Sequence, residues 1–126
     1  MKSVLITGGS GAFGTAFVKH LLTFNPHIPS RIGILSRSDH RQADMARELA
    51  PLDDNSRLRF FIGDVRDRDR LRRAMEGMEV VIHAAALKRI EVGAYNPLEV
   101  KKTNIDGAAN VIEAATDARV AKVVAL

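Results

Sequence analysis

Residues 4–14 read VLITGGSGAFG, an apolar run that leads directly into a glycine-rich turn. The glycines at positions 8, 11 and 14 each have a predicted task. Gly8 allows a tight turn, Gly11 lets the backbone approach a pyrophosphate, and Gly14 lets the following helix pack closely on the strand. The start of that helix offers free N–H groups to the phosphates. The stretch therefore predicts a dinucleotide-binding turn between a strand and a helix; the alternative is a flexible loop that binds nothing.

Around this turn, apolar runs alternate with helical patterns over the whole chain. The runs that predict strands occupy residues 4–7, 32–36, 58–62, 80–84 and 122–126. Helical spacing predicts helices over residues 11–24, 39–49 and 67–78, and a long one that starts at Asn96. Strands without polar alternation, separated by helices, indicate a parallel sheet covered on both faces. Right-handed crossovers then predict the strand order 3-2-1-4-5 of an α/β, doubly wound Rossmann-type fold.

The first predicted helix has apolar residues at helical spacing, namely Phe13, Phe17, Leu21 and Phe24. Two further helices have a stripe of residues that should face the sheet. In the third helix the stripe is Leu71, Ala74, Met75 and Met78, and in the last it is Val100, Asn104, Gly107, Val111 and Ala114. Asn104 is the polar member of its stripe, so we expect a buried amide with hydrogen-bond partners there, in a structural or an auxiliary catalytic role.

The composition fits one globular domain and excludes several function classes. A chain of 126 residues, 46% apolar and 27% charged, is long enough for one core and too short for two. The lack of cysteine excludes disulfides and thiolate metal sites, and we predict no metal. No apolar run approaches the roughly 18 residues of a membrane span, and the apolar start is too short for a signal peptide. We therefore expect a cytoplasmic protein that makes no membrane contact.

The net charge of +4 favours anionic partners. Nucleic acid is not the expected one, because the arginines of residues 66–73 are interleaved with Asp67 and Asp69, and the chain has one tyrosine and no tryptophan for base stacking. Such a charge run is typical of a solvated helix face. The phosphates of a small ligand account for the excess of base equally well.

The loop after the second predicted strand carries the signal for the cofactor. An NAD enzyme usually places an acid at this strand end to bind the ribose hydroxyls, but here the residues are Ser36, Arg37 and Ser38. Arg37 and Arg41 can lie on one side of the loop and helix start, where guanidinium groups suit the 2′-phosphate of NADP. Asp39 leaves NAD open as the cofactor, or it caps the helix. The pattern favours NADP.

The ends of the third and fourth predicted strands supply the remaining candidates. Asp64 can accept a hydrogen bond from the adenine amino group and the N–H of Val65 can donate to the ring; the alternative is Asp64 as a turn or cap residue. His83 is interpreted as a satisfied core residue without a role. The small residues after it leave room for a dinucleotide at the switch point of the sheet; they are Ala84, Ala85 and Ala86. Lys88 or Arg89 can face the ligand phosphates.

Together these residues resemble the extended short-chain dehydrogenase/reductase superfamily, and within it the inverting UDP-N-acetylglucosamine 4,6-dehydratases, a family of polysaccharide biosynthesis proteins. The resemblance is carried by TGGSGAFG at 7–14, SRSDHRQADMA at 36–46, RFFIGDVRDRDRL at 59–71 and HAAALKRIEVGAYNPLEVKKTNIDGAANVIEAA at 83–115. It covers essentially the whole chain, and the last stretch separates this branch from other sugar-nucleotide epimerases. One departure is His40-Arg41-Gln42, where the family is expected to show a shorter acidic–Lys–Gln pattern; the cationic position survives as Arg41.

The resemblance implies a role for each matching residue. On the cofactor pyrophosphate would lie Ser10, Gly11, Ala12 and Phe13. On the adenosine ribose and its phosphate would lie Ser36, Arg37, Ser38 and Arg41. Asp64 and Val65 would hold adenine, and Ala84 the ribose nearer the nicotinamide. Lys88 would reach both the cofactor and the UDP-sugar substrate, and Asn104 would match the structural asparagine of the superfamily's active site.

The activity that the resemblance implies is a lyase reaction that begins with hydride transfer from sugar C4 to NADP+. A base then removes the C5 proton, water leaves from C6, and the hydride returns to C6 with inversion at C5. The family keeps a Thr-Asp-Lys segment just beyond the fifth strand and a Tyr-x-x-x-Lys further on. This chain stops at Leu126, so we expect residues 1–126 to be an NAD(P)-binding domain without its substrate half, inactive by itself.

Two other functions stay open at this point. One is a nucleotide-sugar epimerase or reductase of the same superfamily, whose early half would be similar. The other is a stand-alone NADP-binding module that performs no catalysis. Relatives in the superfamily commonly form dimers or larger assemblies, so a homo-oligomer is expected.

Overall fold

The computed structural model describes residues 1–23, 27–84 and 97–126, with the backbone alone described over 97–106. Within these residues one parallel sheet has five strands in the order β3-β2-β1-β4-β5. The strands are β1 (Ser3–Thr7), β2 (Arg31–Ser36), β3 (Leu58–Ile62), β4 (Val80–His83) and β5 (Lys122–Ala125). The predicted fold class and strand order are confirmed.

The helices alternate with the strands along the chain. They are α1 (Ala12–Thr23), α2 (Asp39–Leu49), α3 (Arg68–Met75) and α4 (Pro97–Asp117), and a short 3-10 turn, Ala50–Leu52, follows α2. The third helix ends three residues earlier than predicted, because Gly77 turns the chain with φ +77° and Met78 then leads into β4. In the part of the chain described here, no helix is long and apolar enough to cross a membrane.

Two apolar clusters cover the two faces of the sheet, because successive residues of a strand point to opposite sides. One cluster contains Leu5, Leu35 and Val81 from the strands, together with residues of α3 and α4. The other contains Val4, Ile6, Ile32, Ile34 and Ile82, together with residues of α1 and α2. The sheet is therefore doubly wound, with α1 and α2 on one side and α3 and α4 on the other.

The predicted inner stripes of α3 and α4 agree with the structure where it describes them. Leu71, Ala74, Met75 and Met78 are buried, as are Gly107, Val111 and Ala114. The side chains of Val100 and Asn104 lie outside the described residues.

The predicted apolar spacing of α1 agrees with the structure at Leu21, which is buried, and at Phe17, which is partly buried against the core, but it is wrong for Phe13. The helix buries Gly14, Val18, Leu21 and Leu22, whereas Phe13 is 47% exposed and stacks on Phe17 with the ring centroids 5.7 Å apart. Phe24 lies outside the described residues. The reason is a backbone contact, because Gly14 packs against Gly9 of the preceding turn and this contact fixes the rotation of α1. The inner face of the helix then consists of Gly14 and the residues four, seven and eight positions after it.

The contact between Gly14 and the turn leaves no room for a side chain. A Cβ at position 14 would lie 2.0 Å from the carbonyl oxygen of Gly9. At Gly11, one turn earlier, the nearest atom to a Cβ would be the carbonyl oxygen of Gly8 at 3.7 Å, an ordinary contact. Position 11 therefore has room for a Cβ atom, whereas position 14 does not.

We predict that Gly14→Ala lowers the free energy of unfolding by about 1–3 kcal/mol, since backbone cannot yield as a side chain does. Gly11→Ala, the matched control, should change it by less than about 0.5 kcal/mol. Urea unfolding followed by circular dichroism measures both. Equal stability of the two variants would contradict the proposed packing of α1 on the turn.

Candidate functional site

The glycine turn joins β1 to α1 at the carboxyl edge of the sheet. Gly8 has φ +72°, a conformation that favours glycine, and its N–H donates to the carbonyl of Leu35 at 2.7 Å. The first helical hydrogen bond of α1 runs from the N–H of Thr15 to the carbonyl of Gly11 at 3.0 Å. The N–H groups of residues 12–14 precede that bond and have no acceptor inside the helix.

The glycine turn and the start of α1 have the features that a binding site for an anion needs. The N–H groups at the start of α1 carry the positive end of the helix dipole, and the first turn of α1 contains no acidic residue. The space over Gly11 is open, because only Gly8 lies within 4 Å of a Cβ built there. A pyrophosphate fits such a cradle, and a side chain at Gly11 would fill it.

Ser36 ends β2 beside this turn, and its hydroxyl joins two elements. The hydroxyl of Ser10 donates to Ser36 Oγ at 2.9 Å. Gln42 of α2 donates from Nε2 to Ser36 Oγ at 2.9 Å and to the carbonyl of Phe61 at 2.8 Å. The network connects the glycine turn with the ends of β2 and β3.

Gln42 is the residue of this site that sequence reasoning missed. It is 5% exposed, although a glutamine on a helix is usually solvated. A signal was present: Gln42 shares a stripe with the buried Met45 and Leu49 at the i, i+3, i+7 spacing of an inward face. A polar residue on such a stripe needs buried partners.

The N-cap of α2 is Ser38 and not Asp39. Ser38 caps α2, since its hydroxyl accepts from the N–H of Arg41 at 3.1 Å. Asp39 follows it in the first turn of the helix. The interpretation of Asp39 as the cap is therefore wrong.

Arg41 and Arg37 lie in different surroundings. Arg41 lines an open cleft of about 420 Å³ between the glycine turn and α2, which also contains Ser10, Gly11, Ala12, Thr15, Asp44, Met45 and Glu48. Asp44 is already engaged there by an ion pair with Arg47 of its own helix, and His40 Nε2 lies 3.4 Å from its carboxylate. Arg37 is 57% exposed in its side chain, and its guanidinium lies 3.9 Å from the carboxylate of Asp64.

Asp64 forms the turn between β3 and α3. Its carboxylate accepts from the backbone N–H of Arg66 at 2.9 Å and from the Arg66 guanidinium at 2.8 and 3.1 Å. Partial burial raises the pKa of this carboxyl, but the hydrogen bonds from Arg66 and the charges of Arg66 and Arg37 outweigh it, so the pKa lies below its ordinary value. Asp64 is thus a turn residue, and Asp67 is the one that caps α3.

Val65 follows Asp64 and is 5% exposed. Its side chain packs under α4, where a Cβ on Gly107 would lie 2.8 Å from Val65 Cγ2. The carbonyl of Val65 accepts from Asn110 at 3.1 Å. Because its side chain and carbonyl are occupied, the backbone N–H is the group of Val65 that remains for a ligand.

Thr7 and His83 form a buried pair at the ends of β1 and β4. Thr7 Oγ1 and His83 Nδ1 are 2.8 Å apart, and Ala84 donates its N–H to the carbonyl of Thr7 at 3.0 Å. Burial lowers the pKa of His83. The histidine is a satisfied core residue, as expected, and Ala84 beside it is partly exposed at the same edge.

Other predicted site residues fall outside what the structure describes. Ala85, Ala86 and Lys88 belong to the undescribed residues 85–96, and for Asn104 the backbone alone is described. Over the described ranges, no group of three or more histidine, aspartate or glutamate residues could hold a metal ion.

Known proteins resemble this chain over its whole length. The sequence pattern of the polysaccharide biosynthesis protein family matches residues 4–126. The inverting UDP-N-acetylglucosamine 4,6-dehydratase of Campylobacter jejuni is 47% identical, over 99% of this chain and 36% of that protein. A protein of Methanocaldococcus jannaschii named as an uncharacterized membrane protein is 44% identical over 99% and 35%. A UDP-glucose 4-epimerase of Rickettsia bellii is 43% identical over 99% and 36%.

Solved structures share the fold. The protein Pen of Bacillus thuringiensis superposes with a TM-score of 0.88 at 39% identity, over 98% of this chain and 36% of Pen. The dTDP-glucose 4,6-dehydratase of Streptomyces venezuelae, determined with NAD bound, gives a TM-score of 0.82 at 31% identity over 96% and 38%. The chain thus spans about a third of the length of the relatives it matches.

The buried His83 makes the stability depend on pH. Its pKa in the fold lies below the ordinary histidine value of 6.5, so in the pH interval between the two values the unfolded chain binds more protons. The free energy of unfolding therefore retains the full His83 contribution above about pH 6.5 and loses it as the pH falls below that value.

We predict that His83→Asn, whose amide can pair with the Thr7 hydroxyl as donor or as acceptor, flattens the pH dependence of the urea unfolding midpoint between about pH 7 and pH 5. The comparison is made within each protein, so a uniform loss of stability in the variant does not affect it. The same slope in both proteins would contradict the assignment.

Proposed function

This chain belongs to the polysaccharide biosynthesis protein family, and we propose that it is the cofactor-binding part of an NADP-dependent UDP-N-acetylglucosamine 4,6-dehydratase. The observation that carries the proposal is the open cradle at Gly11, framed by the free N–H groups at the start of α1. A pyrophosphate needs close backbone approach, hydrogen-bond donors and a positive dipole end, and the cradle supplies these together. The 47% identity to the Campylobacter jejuni dehydratase supports the choice of reaction.

The dinucleotide would lie along the carboxyl edge of the sheet. The turn residues Ser10, Gly11, Ala12 and Phe13 hold its pyrophosphate, with Gly8 and Gly14 shaping the turn. The loop residues Ser36, Arg37, Ser38 and Arg41 hold the adenosine ribose and its phosphate. Asp64 and the N–H of Val65 hold adenine, and the small residues Ala84, Ala85 and Ala86 leave room for the nicotinamide half. The bound nicotinamide supplies the hydride acceptor and donor of the reaction.

The described residues bind and orient rather than transfer protons. Of the titratable groups described at this edge, Asp64 is held by Arg66 and His83 by Thr7. We assign neither of them to acid–base catalysis. Lys88 is proposed to reach both cofactor and UDP-sugar, and Asn104 to have an auxiliary role in the active site.

The preference for NADP is proposed from charge. Ser36 stands where an acid would accept from both ribose hydroxyls of NAD, and Arg41 lines the adjoining cleft. A guanidinium binds a phosphate with charge-assisted hydrogen bonds. The Streptomyces venezuelae structure contains NAD, so NAD is the alternative that measurement has to exclude.

A second candidate function is C4 epimerisation of a UDP-sugar, favoured by the 43% identity to the Rickettsia bellii epimerase. Both reactions would use the same cofactor site, so the binding residues do not separate them. The products do: a dehydratase forms a 4-keto-6-deoxy sugar nucleotide, and an epimerase forms the C4 epimer of its substrate. Cofactor binding without either product would favour a binding module.

We predict that Gly11→Val abolishes dinucleotide binding while the fold survives. The new side chain occupies the space that the pyrophosphate needs, yet Gly11 has no crowded neighbour in the fold. Calorimetric titration with NADP measures binding, and circular dichroism checks the fold. Retained affinity in a folded variant would show that this turn is not the phosphate site.

We predict that the chain binds NADP more tightly than NAD, and that Arg41→Ala or Arg37→Ala reduces this preference by about tenfold, the size of one charge-assisted hydrogen bond. Affinity for NAD should change little, since NAD lacks the 2′-phosphate. Arg72→Ala, which removes an exposed arginine of α3, is the control. Equal affinity of the wild-type chain for both cofactors would contradict the assignment.

A further inference from the structure

The strand β3 forms one edge of the five-stranded sheet, with β2 as its neighbour. The carbonyl of Arg57 accepts from the N–H of Ile32, and the N–H of Gly63 donates to the carbonyl of Ser36, both at 2.9 Å. The odd-numbered residues of β3 therefore face β2, and the backbone groups of the even-numbered residues point away from the sheet. The outward residues are Leu58, Phe60 and Ile62. Their N–H and C=O groups form a template on which another strand can pair.

The sequence of β3 makes this edge prone to self-association. The strand reads LRFFI over residues 58–62, so Arg59 is its one charged residue. The side chain of Ile62 is 44% exposed. Short apolar segments of high β-propensity and low charge tend to pair with copies of themselves when they lie on an exposed edge.

Side chains occupy three of the six outward backbone groups of β3. The carboxylate of Asp53 accepts from the N–H of Leu58 at 3.3 Å. The guanidinium of Arg59 donates to the carbonyl of Leu58 at 2.9 Å. The guanidinium of Arg70 donates to the carbonyl of Ile62, also at 2.9 Å. We call the side chains of Asp53, Arg59 and Arg70 the β3 caps.

The caps occupy the groups that a second copy of β3 would need. In an antiparallel pair centred on Phe60, Leu58 of one copy lies opposite Ile62 of the other, and the two residues exchange both of their hydrogen bonds. Each of those bonds uses at least one group that a cap already holds. Only the bonds between the two Phe60 residues would form without displacing a cap, and displacing one deprives a charged group of its partner.

The three caps converge on β3 from separate segments: the turn before the strand, the strand itself and α3. The path of Arg70 also depends on a glycine, because a Cβ on Gly63 would lie 2.7 Å from Arg70 Cγ. The glycine at the end of β3 thus leaves room for the arginine stem to reach the carbonyl of Ile62.

The opposite edge of the sheet, at β5, lacks such caps in the described part of the chain. The N–H of Lys122 donates to Glu79, and the N–H of Leu126 donates to His83. Val123 and Ala125 therefore point their backbone groups outward, and no described side chain bonds to them. Capping is a particular feature of β3 and not of every edge in this sheet.

We propose that the β3 caps are a device against self-association: they keep the edge of β3 closed to the β3 edge of a second copy of this chain. The charged heads of Arg59 and Arg70 act on the strand's own carbonyls, and Asp53 acts on the N–H at its start. None of the three caps belongs to the proposed cofactor site, so the device and the proposed function stand or fall separately.

The test compares the wild-type chain with the double variant Arg59→Met/Arg70→Met, which uncovers the carbonyls of Leu58 and Ile62. Sedimentation velocity over a series of protein concentrations measures association. We expect the double variant to associate at a concentration about tenfold lower than the wild type, the effect of roughly one to two hydrogen bonds. Amide hydrogen exchange locates the contact, since the N–H groups of Phe60 and Ile62 should exchange more slowly in the associated form.

A matched control separates the caps from the loss of charge. Arg72→Met/Arg73→Met removes the same charge from two exposed arginines of α3 and adds the same apolar side chains. It should associate like the wild type. Arg59→Met and Arg70→Met each uncover one carbonyl and should associate less strongly than the double variant. They carry the test if circular dichroism shows that the double variant folds poorly.

Each outcome decides for or against the caps. Stronger association of the cap variant alone, with slower exchange at Phe60 and Ile62, supports the inference. Equal association of the cap variant and the control would overturn it, because the loss of charge would then be the cause. Association without slower exchange at those two amides would also overturn it, since another surface would be in contact. A cap variant that associates no more than the wild type has the same consequence.

Discussion

The contact between Gly14 and the backbone of Gly9 is the constraint on which the site depends. With a Cβ position only 2.0 Å from the Gly9 carbonyl oxygen, this approach requires glycine and fixes both the distance and the rotation of α1. The start of the helix is thereby held against the turn that leaves β1, and its free N–H groups meet the open space over Gly11. If this contact were looser, the same sequence would not hold the N–H groups of α1 against the open space over Gly11, and the cradle would be lost.

The parallel register extends this arrangement across the sheet. Thr7 of β1 pairs with Leu35 of β2 on one side and with His83 of β4 on the other, so the three strands end together. Ser36 and Ala84 consequently lie on either side of the glycine turn, and the hydrogen bonds from Ser10 and Gln42 connect that turn to β2 and β3. The site is a property of the aligned strand ends, and each loop contributes one or two side chains to it.

Sequence patterns were sufficient for the sheet order and for the tasks of Gly8 and Gly14, because apolar runs and glycine spacing report on local backbone requirements. The same patterns failed where contacts with other parts of the fold determine whether a side chain is buried or exposed. The exposure of Phe13 follows from the rotation that Gly14 imposes on α1, which apolar spacing does not contain. The burial of Gln42 depends on the carbonyl of Phe61, nineteen residues away.

The central claim is that a dinucleotide pyrophosphate binds at the glycine turn and the start of α1. Titration of the ¹⁵N-labelled chain with NADP, followed by the backbone amide resonances, tests it residue by residue. The account predicts that the largest shifts occur in residues 9–14, with smaller ones in residues 36–38 and 64–65, and that residues at the opposite edge, such as Ser3 and Gly77, stay unchanged. Shifts concentrated on α3, or shifts that leave residues 9–14 unaffected, would contradict it.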